Sequence, residues 1–107
     1  NTSMTEGDAH KNAIVDLITH SKINANFVPR SAGVKEHTPD NTLAATHTAG
    51  WRMRADYVLP SKLGVKVKDG GVFWPTQQDS LYRLIETRNR SSDHRLVWLD
   101  IVLEDRR

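Results

Sequence analysis

LVWLDIVL, residues 96–103, is the stretch whose reading decides the fold. Val97, Leu99, Ile101 and Leu103 alternate onto one face of an extended chain, and Leu96, Trp98 and Val102 onto the other. Both faces ask for burial, which predicts a central strand inside a layered structure rather than a half-wet edge. Directly before it stands Ser92-Asp93-His94, three polar residues at the loop–strand junction where a sheet holds chemistry at its rim.

Working backwards, the RMRADYVLP segment (52–60) alternates as well. Ala55, Tyr57 and Leu59 oppose Arg54, Asp56 and Val58, and Pro60 ends the run, so a strand is expected. Leu63, Val65 and Val67 alternate before Asp69-Gly70-Gly71 and the VFW of 72–74. Asp-Gly fits a hairpin turn, and a single strand with a glycine bulge fits equally. Asp79 can cap a short helix over about residues 80–88 with Leu81, Leu84 and Ile85 inward. Toward the N-terminus, Ala9, Ala13, Ile14, Leu17 and Ile18 give one apolar stripe on a helix from about Ala9 to Ser21, and Thr5 with Asp8 is an imperfect capping box before it. Residues 22–50, with Pro29, Gly33, Pro39 and Gly50, show no period. A segment of that length without structure in a small domain is functional or packed against something else.

At 107 residues, one domain or part of one is expected, with no second domain. Fifteen Lys and Arg against thirteen Asp and Glu give a net charge of +2, too mild to argue for nucleic acid. The absence of Cys excludes disulfides, zinc ribbons and thiol nucleophiles. No apolar run reaches the roughly 18 residues of a membrane span. No signal peptide is legible, and the Asn at position 1 reads as a processing or truncation point. So few elements cannot cover both faces of a central strand, so further layers are expected from elsewhere: missing sequence or a second chain pairing with the uncovered sheet.

The chemistry rests on two pieces. If the strand at 52–60 neighbours that at 96–103, Asp56 reaches His94. A carboxylate on one imidazole nitrogen fixes the tautomer, leaves the other nitrogen for chemistry and favours an imidazolium able to stabilise a phosphoryl oxyanion. Asp93 points elsewhere and offers oxygen to a hard divalent cation. Arg54 is placed to pair with Asp56 or with a phosphate. The histidines His10, His20 and His37 read as surface residues, Trp98 as core and Trp74 as a packed corner.

RADYVLPS (54–61), GVFWP (71–75) and SSDHRLVWLDI (91–101), in that order, together with the head NTSMTEGDAHKNAI (1–14), resemble the C-terminal part of the endonuclease/exonuclease/phosphatase superfamily, the DNase I-like phosphoesterases. The resemblance implies an α/β fold, the C-terminal part of a four-layer α-β-β-α sandwich with mixed, largely antiparallel sheets. It implies hydrolysis of a phosphoester with a divalent cation: Mg²⁺, Mn²⁺ or Ca²⁺. Asp93 is then a metal-site or water-orienting carboxylate, His94 contacts the scissile phosphate, Asp56 orients His94, and Asn1 helps hold phosphate or the nucleophile. Thr46, His47 and Thr48 fall where the family often carries a Thr near its site; His47 itself reads as a loop histidine. The family's other metal ligands belong to the N-terminal half, so 1–107 alone is expected to be inactive or nearly so. The family habit leans toward export. The alternative is a small basic module that binds nucleic acid or another polyanion through Arg83, Arg88, Arg90 and Arg95 without catalysis.

Overall fold

The computed structural model describes residues 11–87 and 90–105. Asn1, the capping residues Thr5 and Asp8, the first residues of the expected N-terminal helix, His10 and Arg88 lie outside them. Among the described residues the architecture is mixed α/β. Helix α1 spans Lys11–Ile18 and α2 Val34–His37; single 3-10 turns cover Ala44–Thr46 and Ser80–Leu84; strands β1 (Val65–Val72) and β2 (Val97–Leu103) form one antiparallel sheet.

The sheet settles the choice between hairpin and bulge. The run through Asp69-Gly70-Gly71 stays on one strand, from Val65 opposite Leu103 to Val72 opposite Val97. Val67 faces Ile101 and Asp69 faces Asp100, so Lys68 is the extra residue of a bulge just ahead of the glycines. Gly70 is needed for close approach: a Cβ there would stand 2.8 Å from the carbonyl oxygen of Trp98 across the ladder.

β2 has one ladder partner among the described residues rather than two. Trp98, expected in the core, is 41% exposed, and Leu103 reaches 75%. The apolar pattern is present; what would cover it is not among these elements. The expected strand at 52–60 forms no ladder either. Met53 makes a single bridge to Ala49, and residues 54–60 carry no regular structure. The expected helix at 80–88 is one 3-10 turn, started by the Asp79 carboxylate accepting from Leu81 N at 2.8 Å.

The core gathers Val34, Ala44, Val72, Trp74 and Ile85, with Phe73, Tyr82, Leu84 and Val97 against it. Two of its five buried members come from 22–50, the segment without a period. That segment is folded into the body by short turns: Ser31 N donates to Ala45 O, and Val72 N to Arg30 O. Gly33 is pressed against the backbone carbonyls of Trp74 and Pro75. Irregular backbone can be buried here because these bonds satisfy its polar groups.

Candidate active site

Ala49 organises the site. It bridges antiparallel to Met53 on one side and to His94 on the other. Gly50 N donates to Asp93 O at 2.9 Å and Arg95 N to Thr48 O at 2.7 Å, so the start of the Ser-Asp-His segment is stitched to residues 48–50. This miniature pairing, not a ladder between 52–60 and β2, brings together two acidic and basic groups 38 residues apart.

His94 Nδ1 lies 2.8 Å from both carboxylate oxygens of Asp56. The ring's remaining nitrogen, Nε2, therefore faces away from Asp56. Both side chains are about one-third exposed, enough for a substrate to reach the imidazole. The carboxylate is itself held. Thr48 Oγ1 donates to Asp56 Oδ2 at 2.7 Å and accepts from the backbone N–H of Ala55 (2.9 Å) and Asp56 (3.0 Å). Thr48 is 1% exposed, so its hydroxyl fixes the carboxylate against the buried floor of the site.

On the other side of His94 stands Trp51, edge to face, with ring centroids 4.7 Å apart. Trp51 is carried by a tight turn in which Arg52 N donates to Ala49 O. Arg52 takes a left-handed φ of 69°, a conformation that disfavours a side chain and is kept where surrounding contacts demand it. His37 Nε2 lies 2.8 Å from Gly50 O, bracing the same turn from α2.

Arg54, half-buried, turns to Tyr57 rather than to Asp56. Its guanidinium lies 4.3 Å above the Tyr57 ring. Burial holds it below its ordinary value, Tyr57 raises it, and Arg30 lowers it further. Burial raises the Tyr57 phenol, with Arg54 opposing and Asp56 adding. Asp93 lines a cleft of about 540 Å³ together with Trp51, Trp74, Tyr82 and Arg95. There burial holds the Arg95 guanidinium below its ordinary value, with the charges of Asp93 and Tyr82 opposing. Asn1 lies outside the described residues.

Among the described residues no group of three or more His, Asp or Glu is placed to hold a metal ion; a hard cation takes several oxygen ligands, so Asp93 would need others beside it. What the arrangement does offer is an imidazole oriented by a braced carboxylate, its other nitrogen turned away from that carboxylate, packed on a tryptophan that lines the cleft. The threonine run marked this place in the sequence. That the Thr48 hydroxyl, rather than that of Thr46, would seize Asp56 depends on the turn at 49–53 folding 55–56 back, which no local pattern encodes.

Compared with protein-family models, with curated proteins and with solved structures, the chain matches none.

Proposed function

We propose that the Asp56–His94 pair is the phosphate-facing part of a phosphoester hydrolase centre of the DNase I-like kind, completed by groups outside the described residues. The observation that carries the reading is the 2.8 Å contact of His94 Nδ1 with a carboxylate that Thr48 braces, which leaves Nε2 directed elsewhere. In the protonated ring, Nε2–H donates to a phosphoryl oxygen as negative charge grows on it during in-line attack by water. Asp56 keeps the ring's orientation and favours its charged form. A divalent cation of the Mg²⁺, Mn²⁺ or Ca²⁺ kind would need further oxygen ligands besides Asp93. The four-layer sandwich belongs to the same proposal: β2 carries apolar side chains on both faces that its one partner strand leaves open, as a strand between two packed layers would.

The test is to add dimethyl phosphate to the chain while following the His94 ring by NMR, and to assay bis(p-nitrophenyl) phosphate with Mg²⁺ or Mn²⁺. The expected result is a phosphate-dependent shift of the His94 resonances, weakened by Asp56→Asn, with turnover near background. No response at His94 overturns the reading. Robust turnover by the isolated chain, lost in His94→Ala, supports the hydrolase reading and places the completing groups within residues 1–107. Affinity for DNA that falls steeply with salt, with His94 unmoved, favours a polyanion-binding module instead.

A further inference from the structure

The cleft beside Trp51 has a size and lining that the phosphate chemistry does not use. At about 540 Å³ it falls within the roughly 300–1,000 Å³ of small-molecule sites. It begins one ring away from the imidazole, because Trp51 both lines it and packs edge to face on His94. Whatever the phosphorus carries on that side lies in it.

Its walls select the chemistry of that group. Trp51 is 37% exposed, yet it is held by His94 on one side and by a turn braced through His37 below, so a flat apolar surface is presented already ordered. Another wall is Trp74, over which the Arg95 guanidinium lies at 4.7 Å. That arrangement disfavours an organic cation, since Arg95 already occupies the ring position such a cation would take. An acyl chain is disfavoured as well. It would strip water from Glu36, Asp93 and Arg95 with nothing to replace the lost hydrogen bonds. A flat ring gains from both surfaces, for indole and guanidinium planes alike stack on nucleobases. The polar edge is fixed to read such a ring: Glu36 Oε2 accepts from Gln77 N at 2.9 Å, holding that carboxylate at the cleft beside the Gln77 amide.

We infer that this cleft seats a flat nitrogen heterocycle carried by the phosphoester, as in a single nucleotide. The placement of the phosphate rests on the phosphoesterase reading; the ring site stands on the cleft alone. The experiment titrates the chain with adenosine, adenosine 5′-monophosphate and glycerol 1-phosphate. It follows tryptophan fluorescence and, by saturation-transfer NMR, the adenine protons. The expected result is that the nucleotide binds at least about tenfold tighter than glycerol phosphate, and that Trp51→Leu weakens adenosine about fivefold or more, the low end of one stacking contact. Trp51→Phe, which keeps a ring, recovers much of the loss. Adenosine and the nucleotide binding equally would support the ring site while removing the phosphate from His94. Nucleotide and glycerol phosphate binding equally, with adenosine silent, overturns the ring site and leaves the phosphate reading standing. Absence of saturation transfer to the adenine protons overturns it too, and that measurement needs no variant to fold.

Discussion

Thr48 is the residue on which the site's geometry turns. Its hydroxyl makes three hydrogen bonds in a place with 1% exposure, one to the carboxylate and two from backbone N–H groups. Thr48→Val keeps the shape and removes all three. Two part-buried donors then lack their partner, where a fully buried one costs about 1–3 kcal/mol, so urea unfolding should show a loss of about 1–3 kcal/mol in total. Thr48→Ser should restore most of it. A Val variant as stable as the parent would contradict the bracing role. Tyr57 gives a second expectation, in pH. Burial raises its phenol in the folded chain above the ordinary value of 10.0, while the unfolded chain titrates at that value. Above pH 10 the unfolded state therefore sheds the proton first, and stability falls as pH rises from there through the folded value. Tyr57→Phe should flatten that alkaline limb in thermal melts taken at a series of pH values, and an unchanged slope would contradict it. Asp56 and His94 were legible as a pair because their residue types and the strand rim suggested one. The route by which they meet was not, since it depends on Ala49 pairing to both sides.

At the scale of elements, alternation told more about side-chain character than about pairing. Residues 52–60 alternate as a strand should, yet after the Ala49–Met53 bridge they find no ladder; the hydroxyl of Thr48 takes the Ala55 and Asp56 N–H groups that a neighbouring strand would have used. Asp69-Gly70-Gly71 fits a hairpin turn and a glycine bulge equally; the bulge forms, two residues ahead of Gly70 at Lys68, because register rather than composition fixes where the extra residue goes. Segment 22–50 hid part of the core for the same reason: Val34 is fully buried on a helix of four residues, too short to declare a period. Gly33 tests how tightly that segment docks. Its backbone is ordinary right-handed helical, so only space demands glycine. A methyl group there would collide with the carbonyls of Trp74 and Pro75, which are backbone and cannot swing aside. Gly33→Ala should cost about 1–3 kcal/mol, the usual range for overpacking, and loosen Trp74 with it. Near-ultraviolet circular dichroism and denaturant unfolding check both; wild-type values for the variant would show that the segment is only loosely applied.

The whole molecule exposes more than its length warrants. Its accessible surface is 7222 Å², where a compact monomer of this mass has about 6,000 Å². The radius of gyration is 15.0 Å against about 13 Å for a chain of this length. The concentrated apolar part of the excess is β2 and the residue before it, with Leu96 and Leu103 at 67% and 75% exposure and Trp98, Ile101 and Val102 each above 40%. An apolar strand open on its faces, with a ladder partner on one side among the described residues, is a template for another strand. The isolated chain should therefore self-associate, its sedimentation coefficient rising between micromolar and millimolar concentration. The location can be tested because these side chains contribute little to the monomer. Leu103→Lys with Val102→Glu removes apolar surface that is already wet, so melting temperature should barely move while association weakens. Val102→Glu sets a carboxylate across the ladder from Lys66, and Leu103→Lys puts positive charge beside Glu104 and Asp105, so the pair keeps a copy from docking by its apolar strand without setting like charges opposite each other in the ladder. If the parent stays monomeric at millimolar concentration, or if the double variant associates as strongly, then β2 is not the surface that asks for a cover, and the case for a second layer on this sheet loses its main physical ground.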